Sequence, residues 1–423
     1  MTSAILETPL LTSRVQSWPR LGTLYVCGLP LLAGFSAMRG DNLAVAGFNY
    51  TGLLWMSTLA VGCLLWLIQK GMNPECRSYF PIAPWMIWLT VIGASLTWAD
   101  GPGIPEIRDA AQQGMPVLTG ILAGLFVRTP GRLKQLVNGF YYSVPILWGF
   151  SLLWFFTDLD QDIRTDVFVE KRWLAMTAVL ISGLYLTGTK TQPLRGWIGW
   201  LSCLGVTGVT GSRTASLIIL ILPIINPLDR NLLRKAAVLS VMSLAALGVF
   251  LTPIFQERFF QGDSAGGVDK IAKGEFDSAG RFDAWPQILE KAWERPYFGH
   301  GVGTVQHYVP EVWNNVAAPH NDFLRIGYEE GLFGLAVFLS LVLWQFWNLG
   351  RLVRTTEGVV QQVAGAAWLG LASFLMLATT DNPITTTLCY MCPLLILIGG
   401  ASSVASSGEV DSNVFNQVIQ TEK

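Results

Sequence analysis

Apolar residues in this chain come in stretches of about 20, the length that a hydrocarbon layer of about 30 Å asks of a helix rising 1.5 Å per residue. They fall near residues 21–38, 50–68, 81–98, 110–127, 137–156, 173–188, 196–210, 214–226, 236–253, 326–348, 360–379 and 385–401. The pattern predicts an all-α polytopic membrane protein with about 12 transmembrane helices. The seventh and eighth runs are short and fit either two helices or one re-entrant pair. A polar lead, MTSAILETPLLTSRVQSWPR, precedes the first run and further runs follow it, so the first run is expected to be retained as a helix.

Between the ninth and tenth runs lies one long polar connection. Trp285, Ile288, Leu289, Ala292 and Trp293 recur in it at helical spacing, and Glu294, Arg295 and Pro296 close the run. This predicts an amphipathic helix in a cap lying on the outer surface of the bundle. Orientation follows from Lys and Arg in the short links. With the N-terminus inside, inner links hold clusters such as Arg128, Arg132 and Lys134, whereas the short outer links hold only Arg39, Arg108, Arg164, Lys171, Arg172 and Arg213. The long loop is exempt from that count and falls on the outward side. The expected division is therefore 1–20 as a cytoplasmic N-terminal segment, 21–253 as helices one to nine, 254–325 as the large loop or cap, 326–401 as helices ten to twelve, and 402–423 as a cytoplasmic tail. The Ser-rich stretch ASSVASSGEVDSN in that tail is expected to be disordered.

Composition agrees with a membrane chain. Mean hydropathy is +0.44, with 51% hydrophobic and only 13% charged residues, which is too apolar for a soluble domain of 423 residues. A net charge of -1 gives no support for a nucleic-acid partner, which calls for a strong basic excess. Of the six cysteines, all but Cys76 lie in apolar runs, so no disulfide framework is expected. Cys389 and Cys392 have CxxC spacing, but inside the last apolar run that spacing points to packing.

The residues able to carry chemistry gather at the outer edge. His300, His307 and His320 are the only histidines, and all three lie in the long loop. Pro319 suits the first turn of a helix and Asn321 or Asp322 its cap, so His320 is expected beside a helix N-terminus. There the helix dipole disfavours imidazolium and leaves a neutral ring able to accept a proton; a capping or surface role is the alternative. Arg213, in GVTGSRTAS, sits in a link so short that its charge is held at headgroup level, either as a functional cation or as a snorkelling side chain. Arg281 stands just before the cap helix and adds to its positive end, or is a solvated loop charge. Two arginines and a helix terminus suit bidentate phosphate recognition. Asp158, Asp160, Asp162 and Asp166 form an acidic link, but no Gly-containing calcium loop follows, so no metal site is assigned. Glu329 and Glu330 begin the tenth run, where Gly327 and Gly331 have the GxxxG spacing of close helix packing; the role of Glu330 is open.

The order GSRTAS, then a long outer loop with GRFDAW and RPYFGHGVG, then HNDFLRIGYEEGLFG resembles the O-antigen ligase and polymerase family. The resemblance runs from about residue 205 to 340 and is only topological elsewhere. It implies a twelve-helix protein of the bacterial inner membrane that takes a glycan from undecaprenyl pyrophosphate at the periplasmic face, with the large loop periplasmic. The family pattern maps onto Arg213 and Arg281 as pyrophosphate ligands and His320 as general base, with Asn321 and Glu330 as possible supporting residues and no metal or other cofactor. His300 departs from the pattern. The implied activity is an O-antigen ligase, a glycosyltransferase moving polysaccharide to a sugar hydroxyl of lipid A core, inverting and metal-independent. A polymerase using the same donor is the alternative, though such proteins often carry two sizeable outer loops where this chain has one. A transporter or flippase for an anionic lipid would place ionisable groups deep within spans, whereas here they cluster at the outer edge.

Overall fold

The computed structural model describes residues 9–35, 50–72, 78–99, 103–158, 171–250, 280–313, 316 and 318–421. Among the described residues the chain is all-helical, in fifteen helices. We number them α1 (Pro9–Phe35), α2 (Tyr50–Met72), α3 (Ile82–Ser95), α4 (Ile104–Phe126), α5 (Pro130–Asp158), α6 (Lys171–Gly188), α7 (Pro193–Val209), α8 (Arg213–Ile225), α9 (Leu232–Phe250), α10 (Arg281–Ala292), α11 (Val305–Val312), α12 (Asp322–Glu329), α13 (Gly331–Thr355), α14 (Gly358–Ala378) and α15 (Met391–Thr421). Among the described residues, four stretches are long and apolar enough to cross a membrane: Gly52–Gly71, Pro130–Phe156, Gly331–Thr355 and Gly358–Ala378. Shorter apolar helices occupy Leu21–Phe35, Ile82–Ser95, Arg213–Ile225 and Met391–Ser407.

The centre of the bundle is α6. Every residue from Leu174 to Gly188 is buried, which is the signature of a helix enclosed on all sides. It packs against α5, α7, α8 and α14. Gly196 and Gly199 let α7 sit directly on Tyr185 of α6, the small-residue contact that close helix packing in lipid relies on. On the far side α15 lies along α4, where Gly399 abuts the Gly120 carbonyl and Ser403 Oγ donates to Gly124 O at 2.8 Å. Cys389 and Cys392 are fully buried in the core, as the packing reading expects.

Three expectations are corrected. The tenth apolar run is not one helix: it breaks after Glu330, because Gly331 takes φ +70° and the Tyr297 backbone crosses where a Cβ would stand. Gly331 is therefore a chain-break glycine and not half of a GxxxG packing face, and nothing approaches the Cβ position of Gly327 within 4 Å. The last run becomes helical only at Met391. Before it, Asp381 to Tyr390 forms successive turns whose polar groups are satisfied from neighbouring helices: Thr177 Oγ1 donates to Cys389 O at 3.1 Å and Thr386 Oγ1 reaches Met176 Sδ at 3.1 Å. Irregular backbone is tolerated at such depth only where protein encloses it in this way. The Ser-rich tail read as disordered continues as helix to Thr421.

At one end of the bundle, α10, α11 and α12 form a cap with its own small core of Ala284, Ile288, Ala292, Val305, Val309 and Tyr328. The predicted cap helix is α10, but its apolar stripe divides, with Leu289 and Trp293 left exposed. The cap is bound to the ends of α3 and α4. Trp98 Nε1 donates to Phe298 O at 3.0 Å, and Val302 N donates to Ser95 Oγ at 3.1 Å. Gly301, at φ +98°, lies so close to Ala99 that an ideal Cβ would stand 2.6 Å from its Cα; only glycine permits that approach.

Candidate active site

α12 starts cleanly because Asn321 caps it: the Asn321 side chain accepts from Leu324 N at 3.0 Å. The residue before the cap is His320, as the sequence expects, and it is the one non-glycine residue at positive φ among the described residues, at +51°. A histidine tolerates that region better than a branched residue, at a cost of about 1–2 kcal/mol. The strain is held in place by neighbours. Pro319 O accepts from Trp285 Nε1 at 2.7 Å, and the Trp313 indole stands edge-on to the imidazole at 5.6 Å between centroids.

Three further groups surround the ring. Arg172 Nη1 lies 3.1 Å from Nε2 and 3.5 Å from Nδ1, Asn382 Nδ2 lies 2.9 Å from Nδ1, and Asp381 Oδ1 stands 3.6 Å from Nδ1. A guanidinium only donates, so Nε2 must accept, and a neutral ring then carries its proton on Nδ1. Asn382 Oδ1 is buried and has no partner. A half-turn of that carboxamide, which exchanges its nitrogen and oxygen, gives Nδ1–H an acceptor and relieves the orphaned oxygen. With that assignment the imidazole presents its Nε2 lone pair to the Arg172 guanidinium.

The other predicted cations stand at the same end of the bundle. Arg281 opens α10, one turn ahead of Trp285 and beside Gly280, whose position allows the Trp313 indole to approach to 2.7 Å of an ideal Cβ. Arg213 opens α8 and is exposed. Its neighbour Thr214 accepts through Oγ1 from Thr380 Oγ1 at 3.3 Å, and Thr380 directly precedes Asp381. Arg172 lies in the first turn of α6. Arg172, Arg213 and Arg281 each stand in the first turn of a helix, whose positive end adds to their charge, and Arg172 touches the imidazole itself.

Asp322 is fully buried beneath this ring, with Oδ2 accepting from Ile384 N at 2.8 Å and Oδ1 without a partner. Burial pushes its carboxyl up to about 8, against the opposing pull of Arg325 and the Ile384 amide and with help from Asp381. The bond ties α12 to the Asp381–Tyr390 turns and so holds Asn382 against His320.

Glu330 is not in this group. It lies at the other end of α12, about 12 Å away by helical rise, in a separate buried cluster. There Arg325 Nη2 donates to Asp109 Oδ2 and Arg325 Nε to Glu329 Oε2, both at 2.9 Å, while Glu330 Oε1 has no partner. One turn along α4 from Asp109, Glu106 accepts from His307 at 2.5 Å and from Gly103 N at 2.7 Å. Burial raises the Glu106 carboxyl, but these two donors outweigh it and hold the group below its ordinary range. His307 thereby fastens the cap. His300 does the same from inside it, with Nε2 3.0 Å from Lys291 O and its ring stacked on Tyr328 at 4.6 Å.

Of the predicted residues, the structure brings His320, Asn321, Arg213 and Arg281 to one end of the bundle and places Glu330 apart. The sequence reading missed Arg172, Trp313, Asp381 and Asn382. Arg172 carried one usable signal, since like Arg213 and Arg281 it stands at the start of a helix. In the acidic link, Asp158 ends α5, while Asp160, Asp162 and Asp166 lie outside the described residues. Among the described residues no cluster of three His, Cys, Asp or Glu has a metal-holding arrangement.

No curated protein matches the sequence. A family model described as O-antigen ligase matches residues 175–339, which run from α6 through the cap into α13 and include Arg213, Arg281 and His320. The match supports the O-antigen ligase and polymerase family that the motifs of the sequence resemble.

Proposed function

We propose that the protein is a lipid-linked polysaccharide ligase of the bacterial inner membrane, with its site facing the periplasm. It transfers a glycan from undecaprenyl pyrophosphate to a sugar hydroxyl of lipid A core. The observation that carries this reading is His320, which lies inside the family-matched stretch in a strained conformation with Arg172 Nη1 3.1 Å from its Nε2. Strain of that kind concentrates at reacting groups.

The acceptor hydroxyl gives its proton to His320 Nε2 as its oxygen attacks the anomeric carbon. The bond from that carbon to the pyrophosphate oxygen breaks, and the anomeric centre inverts. Arg172, Arg213 and Arg281 hold the negative charge that grows on the departing undecaprenyl pyrophosphate. Arg172 is exposed, and its guanidinium turns from Nε2 to the phosphate when donor arrives, freeing the lone pair. General-base assistance of this type contributes about 10² to 10⁴-fold in rate.

Purified protein with lipid-linked donor and core acceptor tests the assignment. His320→Ala at normal expression abolishes transfer. Arg172→Lys, Arg213→Lys and Arg281→Lys each lose most of it, because a point charge does not reproduce a planar fork on a diphosphate. Wild-type transfer by His320→Ala overturns the base assignment, and full activity in a lysine variant removes that arginine from the site. The lipopolysaccharide of a deletion strain separates ligase from polymerase: bare core with long chains stranded on the carrier marks a ligase, and core bearing a single repeat marks a polymerase.

A further inference from the structure

The turn after α10 is pinned to the start of a candidate membrane span. Leu332 N donates to Pro296 O at 2.7 Å and Phe333 N to Tyr297 O at 3.1 Å, so two amides that the first turn of α13 leaves free are capped by carbonyls of the loop. Trp98, at the end of α3, holds the same turn through Phe298 O. These bonds fix the turn at the level where α13 begins.

The side chains of this turn face outward. Trp293 is 58% exposed, Tyr297 70% and Phe298 58%, with Leu289 also exposed beside them. Phe298 packs against Phe333 at 5.9 Å and against Trp98 at 6.1 Å between centroids, so the turn and the span helix share one apolar surface. That surface continues into Leu332, Phe333, Leu339 and Leu343, the exposed face of α13. Charge accompanies the rings on the α10 side, where Lys291 Nζ pairs with Glu294 Oε2 at 2.8 Å on either side of Trp293 in sequence. An aromatic cluster of Trp and Tyr at the end of an apolar span is the composition of a membrane–water boundary.

We propose that Leu289, Trp293, Tyr297 and Phe298 form an interfacial anchor, inserted at the headgroup and acyl boundary of the leaflet in which α13 begins. The occupant of this surface is lipid, because the patch is continuous with a face of α13 that only lipid covers when that helix spans. The anchor gives the cap a defined depth. α10 is 12 residues long, about 18 Å by helical rise. It starts at Arg281, beside the histidine site, and ends at the anchor, so the anchor fixes how far that site stands from the lipid surface. The inference rests on α13 crossing the bilayer and not on the chemistry assigned to His320.

The test uses the full chain in phosphatidylcholine vesicles, with an NBD fluorophore attached at Tyr297→Cys or Phe298→Cys and signal from the parent protein subtracted. Phosphatidylcholine carrying a doxyl group high on its acyl chain serves as quencher. Blue-shifted emission and several-fold stronger quenching than at Glu311→Cys, an exposed cap position, are expected at both sites. Quenching no greater than at Glu311→Cys means that the turn faces water and overturns the proposal. Emission that shifts only with protein-to-lipid ratio, with self-quenching between labelled copies, means that a second copy covers the patch and overturns it equally. Because no turnover is measured, failure of the ligase assignment leaves this result unaffected.

Discussion

Replacing Arg325 with methionine tests what holds the cap to the bundle. Its side chain is 4% exposed and serves two carboxylates at once, Asp109 on α4 at 12% and Glu329 on its own helix at 1%, both at 2.9 Å. At an effective dielectric of about 20, each contact at about 4 Å between charge centres is worth roughly 4 kcal/mol before desolvation is counted. Methionine keeps much of the volume and removes the charge, leaving the carboxylates of Asp109 and the buried Glu329 without their cation, close to Glu330, whose Oε1 has no hydrogen-bond partner. Breaking a buried pair from one side costs about 3–5 kcal/mol, since the stranded charge, or the proton it must take up, remains. Asp109→Asn spares the Glu329 contact and still offers an amide oxygen to the guanidinium, so its cost is about 1–2 kcal/mol. Combined, the two substitutions cost less than their sum, because once the cation is gone a neutral carboxamide at position 109 removes a stranded charge. The assay is unfolding in mixed micelles titrated with SDS, with limited proteolysis reporting release of the cap. If Arg325→Met falls within about 1 kcal/mol of wild type, or the two costs simply add, the buried network does not fasten α12 to α4 and the reasoning fails.

His320→Gly removes the left-handed penalty of about 1–2 kcal/mol while adding about 0.4–1 kcal/mol of chain entropy, so stability in the same titration stays within about 1 kcal/mol of wild type while transfer is lost; a drop of several kcal/mol means the ring is there for the fold. Burial lifts Asp322 to about 8 in the folded protein against about 3.9 unfolded. Between those values the folded state keeps a proton that the unfolded state has lost, so stability falls as pH rises, by about 1.4 kcal/mol per unit at most. Relative to Asp322→Asn, wild type therefore loses stability from about pH 4 to about pH 8 and then levels, and a pH-independent difference over that range contradicts the assignment. Transfer in excess EDTA is expected to be unchanged, because arginines offset the leaving charge; loss restored by Mg²⁺ and abolished by Asp160→Ala moves the chemistry to the acidic link.

What the sequence made legible was what local pattern determines. Apolar runs of helical length located α2, α6 and α14 within a few residues, and the spacing of Trp285, Ile288 and Ala292 located α10. A proline, a capping residue and the order of motifs identified His320, and its place ahead of α12 follows from the Asn321 cap that the pattern expects. The break at Gly331 was hidden because hydrophobicity continues across it: Ile326 and Leu332 satisfy an apolar run whether or not the backbone turns between them. The reason for the turn is the Tyr297 carbonyl crossing from 34 residues away, a contact that no window along the chain contains.

The same limit explains the missed half of the site. Arg172 is 148 positions from His320 and Asn382 is 62 positions beyond it, and neither stands in a motif of its own. Their proximity is a product of the α6 position at the centre of the bundle and of the irregular turns that close over its first residues. Those turns in turn depend on Asp322, whose buried carboxyl group accepts from the Ile384 amide through Oδ2. The residue two positions after the histidine thus fixes the backbone that fixes the tautomer of the histidine. A single short stretch, His320 to Asp322, supplies the proposed base, the cap of its helix and the clamp on its partner, whereas the contacts that complete the site come from distant elements.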